Sequence, residues 1–334
     1  MPEQRDYAAK RRFDETPEPP PEVPGDVDPG KALPGKTFVI HQHHARNLHF
    51  DLRLEMYNGR TPVLVSWAVP KNLPIEKGKR ALAVHVEDHP FEYGSFSGSI
   101  PAGNYGAGEV RIFDSGEYEL TEQAKGKLTF RLKGRRLKGL WHLVQTKGGK
   151  EWLILLSSWE GDEPDPVPTG PPMTPGKTSE AFNDKAWAFE PKLEGQRALA
   201  VCEYRTTNLL MPSMQPLRVS GMDKLHERMV ARNAVLDGVI VGTGKDAKFL
   251  AVDLLYLDDH SLTGKPYSVR RKLLEEAVVP GGQLGTSISI PKDGKAVLKA
   301  ATGLGLSGVI AKRLDSTYEA GPSESWVEVN SDQG

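Results

Sequence analysis

The chain has 334 residues, of which 38% are hydrophobic and 26% charged, and a formal net charge of −1. That length and composition give room for two domains with cores of their own and exclude a disordered tail. No run approaches the roughly 20 apolar residues of a bilayer span, and the near-neutral balance excludes a uniformly basic nucleic-acid binder, so any grip on phosphate must come from a local face.

In chain order, residues 1–36 read as an N-terminal arm. The stretch MPEQRDYAAKRRFDETPEPPPEVPGD is charged and proline-rich, lacks the apolar core of a signal peptide, and has a short helical run over 7–13 before a polyproline-like segment. Residues 37–158 break into short runs punctuated by Gly, Pro and Asn, among them FVIHQHH, LHFDLRLEM, VLVSWAVP, KLTFRLKG and EWLILLSS. Several alternate apolar with polar residues, the pattern of half-buried strands in a small barrel or sandwich. Residues 159–184 are dense in Pro, Gly and acid and read as a linker. Residues 185–334 mix strand-like runs such as KFLAVDLLYLDDH with helix-like ones, DKLHERMVARN and SVRRKLLEEAV, and so predict an α+β domain. The single cysteine, Cys202, rules out an internal disulfide, suits a reducing cytoplasm, and leaves metal binding to His, Asp and Glu.

The chemistry concentrates between 41 and 53, where four of the nine histidines lie in HQHHARNLHFDLR. On a strand, His49, Asp51 and Arg53 share one face, while Leu48, Phe50, Leu52 and Leu54 share the other and pack inward. An imidazole and a carboxylate bind a divalent ion, and a guanidinium clamps phosphate oxygens bidentately. One more histidine from the preceding strand would complete a three-ligand site. A second cluster, HVEDHPFEY at 85–93, places His85, Glu87 and His89 on one face if it continues as a strand. The glycine-rich run at 94–110 lacks the strand–helix context of a nucleotide loop and reads as turns. A basic segment at 125–150, with Lys125, Lys127, Arg131, Lys133, Arg135, Arg136, Lys138, Lys147 and Lys150, offers either a phosphate-binding face or a solvated strand surface.

FVIHQHHARNLHFDLRLEM, SWAVPK, ALAVHVEDHPFEYGSFSGSIPAGNYGAGEV and the arm KRRFDETPEP resemble the phosphoesterase domain of bacterial DNA ligase D, the end-healing module of non-homologous end joining, over residues 7–156. The resemblance implies a compact β-barrel that uses Mn²⁺, with Zn²⁺ or another divalent ion as alternatives, to remove 3′-phosphates and a terminal 3′-ribonucleotide. It implies metal ligands at His43, His49 and Asp51, with His41 and His44 flanking them. It further implies a phosphate-binding and catalytic Arg53, catalytic His89 and Tyr93, and Arg11 and Glu18 in the arm supporting ribonucleotide removal. Arg12 stands where the family has an acid, and Arg80 matches a further phosphate-contacting arginine one position out of register. DNA 3′ ends, Ku and a separate ligase are the partners it suggests, in the cytoplasm with the nucleoid.

The second half resembles the adenylation domain of ATP-dependent DNA ligases over 187–330. In EPKLEGQR the resemblance assigns Lys192 as the nucleophile, with Glu194 and Arg197 beside it and Lys312 in SGVIAKR. Val239 and Ser307 stand in place of two metal-handling glutamates, and Glu328 and Asn330 in place of two phosphate-contacting lysines. Reversing the charge at a phosphate contact turns attraction into repulsion, so a degenerate domain that does not use ATP is expected. The alternatives are a ligase working with unusual motifs and a non-catalytic adaptor at DNA ends or repair partners. The metal and arginine set argues against the adaptor.

Overall fold

The computed structural model describes residues 5–20, 27–146 and 149–330. The chain divides into two compact units, Met1–Asp162 and Glu163–Gly334. No helix among the described residues is long and apolar enough to cross a membrane.

The first unit opens on a short helix, α1 (Arg5–Ala9). Ten strands follow: β1 (Leu33–His44), β2 (Leu48–Asn58), β3 (Thr61–Val69), β4 (Arg80–His85), β5 (His89–Pro90), β6 (Gly98–Ile100), β7 (Gly108–Ala124), β8 (Lys127–Gly134), β9 (Lys138–Gln145) and β10 (Glu151–Trp159). Eight of them close a ring in the order β1-β2-β3-β4-β10-β9-β8-β7, and β7 pairs back onto β1. The β-barrel that the sequence leads one to expect is therefore present.

Closure is achieved by β7, whose residues 108–110 pair with β6, 109–117 with β1 and 116–124 with β8. At the crossover Gly116 faces Gly134, where an added Cβ would come within 2.5 Å of the Lys133 carbonyl oxygen and 2.2 Å of Asp114, respectively. Only glycine fits where two backbones approach this closely. Asp114 then accepts the backbone N–H groups of Arg135, Arg136 and Leu137 at 3.0, 3.1 and 2.8 Å, fixing the β8–β9 turn.

The barrel interior takes the apolar face of each strand. Leu52 and Leu54 of β2 and Val65 and Trp67 of β3 are fully buried. Edge-to-face pairs between strands that are not neighbours, Phe50–Phe113 at 5.2 Å and Trp67–Trp152 at 5.9 Å, span the interior. Each large side chain contributes about 1.5–3 kcal/mol by leaving water.

The arm is ordered against this barrel at its front end. Tyr7 is fully buried and packs with Val39, Leu64 and Tyr93; its hydroxyl donates to the Pro19 carbonyl at 2.8 Å. The expected helix shortens to α1, and 21–26, within the polyproline-like run, falls outside the described residues. Most of the basic segment does not form a bare cationic face. Lys127 pairs with Glu122, Arg131 with Glu160, Lys133 with Glu119 and Lys138 with Asp162, while Arg136 is buried against the Phe113 carbonyl. Lys147 lies outside the described residues.

The second unit holds β11 (Met173–Ser179), β12 (Asp184–Pro191), β13 (Gln196–Glu203), β14 (Thr206–Leu210), β15 (Pro216–Leu217), β16 (Ala234–Val241), β17 (Lys248–Leu257), β18 (His260–Ser261), β19 (Leu284–Thr286), β20 (Ile290–Lys292), β21 (Gly308–Arg313) and β22 (Gly321–Asn330). Two helices join them, α2 (Tyr267–Ala277) and α3 (Gly294–Gly303). One sheet runs β11-β22-β21-β12-β20 and the other β15-β14-β13-β16-β17-β18, with β19 on β17. Strand β11 lies inside the stretch expected as linker, where its parallel pairing with β22 overrides a composition that reads as coil. The run DKLHERMVARN forms a 3₁₀ turn, Met222–Arg228, rather than an α-helix. Helix α3, unanticipated, packs Val297 and Ala301 against Phe189, Val309 and Val329. Cys202 is buried and its thiol is pushed up to about 12 by burial.

Candidate active site

Strands β1 and β2 form a hairpin through 45–47, and its register sets His43 opposite His49 and His41 opposite Asp51. Ligand atoms of His43, His49 and Asp51 all lie within 4.8 Å of one another. Their second hydrogen bonds fix which atoms face inward. The Nε2–H of His43 donates to the Gly106 carbonyl at 2.7 Å, and the Nδ1–H of His49 donates to the Asn47 carbonyl at 3.0 Å. A carbonyl can only accept, so each ring presents its other, unprotonated nitrogen. This is the outer-shell arrangement of metal-binding histidines, and the donor set of two imidazoles and a carboxylate fits a divalent ion such as manganese or zinc.

Asp51 is buried, which alone raises a carboxyl's pKa. Arg53, then His49 and His43, outweigh that and hold it below the usual carboxylate range. Burial likewise pushes His43 down, against the pull of Asp51, so the cluster holds a carboxylate and a neutral His43 at neutral pH.

Arg53, 3% exposed, is pinned by three neighbours. Its Nη2 donates to Asp51 Oδ2 at 2.8 Å, its Nη1 to Ser66 Oγ at 2.9 Å, and its Nε to His41 Nδ1 at 3.1 Å. One N–H on each Nη is left to meet a phosphate oxygen. His41, outside the ligand set implied by the resemblance, is thus what Arg53 leans on. Burial and then Arg53 drop its pKa to about 3, which keeps it an acceptor. Tyr93 covers the guanidinium at 4.9 Å and the His89 ring at 4.8 Å. Burial raises its phenol above the ordinary range, so it stays neutral.

The second cluster divides. Strand β4 ends at His85, whose ring packs on Trp67 at 5.3 Å, and the chain leaves strand conformation over 86–88. The single face expected for His85, Glu87 and His89 does not form, because His89 restarts as β5 beside Leu64 of β3. His89 does reach the site. Its Nδ1–H donates to the Glu87 carbonyl at 2.9 Å, and its Nε2 accepts from Arg11 Nη2 at 3.4 Å. Burial, followed by Arg53 and Arg11, holds it well below the usual imidazole range.

Arg11 comes in from the arm. It pairs with Glu18 at 2.8 Å and Glu87 at 3.4 Å and lies 3.8 Å over the Tyr7 ring. Arg12 points away and pairs with Glu15 at the surface. Arg80 is exposed at the first position of β4, and no side-chain hydrogen bond or ion pair joins it to the cluster among the described residues. Sequence reasoning missed Tyr7, Ser66 and the Gly106 carbonyl. Of these, Ser66 was readable, since period-2 alternation puts it on the same face of β3 as Leu64.

In the second unit the candidate nucleophile is engaged. Lys192 Nζ donates to Glu328 Oε1 at 2.8 Å, a hydrogen bond that holds the Glu328 carboxyl below its ordinary range. Glu194 accepts from Ser307 Oγ at 2.7 Å. Arg197 binds Asp237 through two bonds of 2.6 and 2.7 Å. Lys312, 1% exposed, sits 3.0 Å from Glu190, donates to the Val252 carbonyl at 2.7 Å and lies 4.1 Å over the Trp326 ring. Val239 is buried and apolar.

A closed barrel bearing this cluster, followed by a two-sheet unit with a lysine motif, is the architecture of a phosphoester-processing domain joined to a ligase-like one. The chain carries a DNA ligase D-type phosphoesterase domain followed by an ATP-dependent ligase-type domain: residues 41–145 match the DNA ligase D 3′-phosphoesterase domain and 240–329 the ATP-dependent DNA ligase domain. The multifunctional non-homologous end joining protein LigD of Mycolicibacterium smegmatis is 37% identical over 96% of the chain, which spans 45% of that relative. The corresponding Pseudomonas aeruginosa protein is 29% identical over 97% of the chain and 46% of its own length. The chain thus spans about half the length of the curated relatives it matches. A solved mycobacterial DNA ligase D structure overlaps 48% of this chain and 60% of its own at 29% identity, with a TM-score of 0.43.

Proposed function

We propose that the barrel unit is a metal-dependent 3′-phosphoesterase that removes a 3′-phosphate, and a terminal 3′-ribonucleotide, from DNA ends in non-homologous end joining. The observation that carries this reading is the convergence of His43, His49 and Asp51 with a buried Arg53 that donates to Asp51 at 2.8 Å. A divalent ion held by those three, manganese in the first instance, would supply positive charge against a phosphate oxygen and a more acidic bound water.

The chain's own residues do the rest. Arg53 holds two phosphate oxygens and is already fixed by Asp51, Ser66 and His41, so no reorganisation opposes charge build-up on phosphorus. His89, neutral with Nε2 as an acceptor, holds Arg11 toward the same phosphate. Tyr93 and Tyr7 wall the site from water and strengthen each of these interactions. Arg11 and Glu18, joined to each other, position the arm for a terminal ribose.

The ligase-like unit is proposed to have lost nucleotidyl transfer. The Lys192–Glu328 ion pair, Val239 and the Ser307–Glu194 bond support that reading. Ku and a separate ligase are the proposed partners at DNA 3′ ends, in the cytoplasm.

The test is release of phosphate from a primer–template ending in 3′-phosphate, with Mn²⁺ or with chelator, comparing wild type with His49→Ala. Manganese-dependent release that falls to background in the variant is the expected result. A folded, manganese-loaded wild type that releases nothing rejects the assignment.

A further inference from the structure

The glycine-rich run between β6 and β7 carries a half-exposed aromatic ring against the site. Tyr105 is 49% exposed, although such a ring ordinarily contributes most when buried. Its neighbour Gly106 has φ +74° and gives its carbonyl to His43 at 2.7 Å. The loop backbone is thereby tied to a ligand of the proposed metal. Turn bonds from Asn104 N–H to Pro101 and from Ala107 N–H to Asn104, at 3.3 and 3.2 Å, hold the loop's shape.

On the other side, Lys10 Nζ lies 5.0 Å from the Tyr105 ring centroid and Arg11 5.5 Å. The same Arg11 touches His89. The ring is thus one residue removed from His43 and one contact removed from His89, and two cations fix its orientation without burying it.

We infer that Tyr105 is the stacking platform for the terminal nucleobase of the strand whose 3′-phosphoester enters the site. This rests on the phosphoesterase reading and adds a binding subsite to it. Every base has a π-face, so a stacking platform accepts any terminal base, as an enzyme that heals ends of arbitrary sequence requires. Lys10, partly exposed alongside the ring, is the cation for the backbone phosphate of the stacked nucleotide, while Arg11 serves the phosphoester beside His89. The competing role for the ring, a peg for the arm, would serve every substrate alike.

Two measurements on the full chain separate these. The first uses a single-stranded oligonucleotide with 2-aminopurine as its 3′-terminal base. Its fluorescence is expected to be quenched on binding wild type or Tyr105→Phe and left unquenched by Tyr105→Ala. The second compares phosphate release, with manganese, from 3′-phosphate ends that carry a terminal base or an abasic residue. Tyr105→Ala is expected to raise KM about 5- to 150-fold on the base-bearing end alone, with kcat kept, and Tyr105→Phe to behave as wild type. An equal KM rise on both ends, or unchanged fluorescence at saturating oligonucleotide, overturns the platform. Tyrosine-dependent quenching by a wild type that releases no phosphate keeps the subsite and overturns the phosphoesterase assignment instead.

Discussion

Arg53 is the side chain through which most of the site is connected. It touches Asp51, Ser66, His41 and the Tyr93 ring, so it is both a buried charge with a partner and a ready fork for phosphate. Lysine keeps the charge and loses the fork. Arg53→Lys is therefore expected to lower phosphate release about 10²- to 10³-fold, on the order of losing one oriented transition-state donor. Manganese affinity, read by calorimetry, should stay within about tenfold because His43, His49 and Asp51 remain. A rate within threefold of wild type would reduce Arg53 to an anchor for Asp51. The ligand face was legible because strand alternation is rigid: His49, Asp51 and Arg53 had to share a side, and Leu48, Phe50, Leu52 and Leu54 the other. His41 was readable as a neighbour but not as the acceptor of the Arg53 Nε–H, since that needs the cross-strand register. The Arg11–His89 contact joins residues 78 apart in sequence, and no local pattern reports it.

At the scale of elements, the hairpin of β1 and β2 builds the cluster, and a one-residue bulge in the β1–β7 pairing between Ile40 and His41 marks where the functional stretch begins. The element whose reading changed most is 159–184, where composition favoured a linker and a parallel strand formed, because long-range pairing is invisible to composition. In the ligase-like unit, β12 ends just before Lys192 and β22 delivers Glu328, so two strands of one sheet close the ion pair. A nucleophile needs its amine unencumbered and its phosphates matched by positive charge. Incubation with labelled ATP and Mg²⁺ is expected to leave no label on the protein. Acid-stable, amine-linked label that disappears in Lys192→Ala would contradict the loss of nucleotidyl transfer. The departures at Val239, Ser307, Glu328 and Asn330 were legible as residue types. Their consequence, a glutamate turned onto the lysine itself, was not.

Across the whole molecule, stability should follow pH through buried histidines. His85 is pushed to about 4 by burial and then Lys150, and His89 is held well below its usual range. Both are depressed relative to about 6.5 in the unfolded chain. Below that value the unfolded chain takes up protons that the folded one refuses. Stability is therefore full above about pH 6.5 and falls as pH drops toward 4. Each such group steepens the dependence by up to about 1.4 kcal/mol per pH unit. In urea unfolding of the full chain in chelator, His85→Gln is expected to flatten the slope between pH 6.5 and 5 by up to one proton's worth. Parallel slopes for variant and wild type would contradict the burial argument.

Ring closure has a consequence for how the molecule meets its own copies. Several barrel strands carry long apolar runs that, at an open edge, would recruit another chain into a shared sheet. With β7 returned to β1, the described strands of the ring have no full-length open edge: what is left unpaired is the short β5 and β6, two and three residues long, and partial stretches such as β7 past Glu117, which pairs with β8 alone. An incoming strand therefore meets short stretches in place of a full open edge, which limits how far the barrel's apolar sequences can zip into a shared sheet.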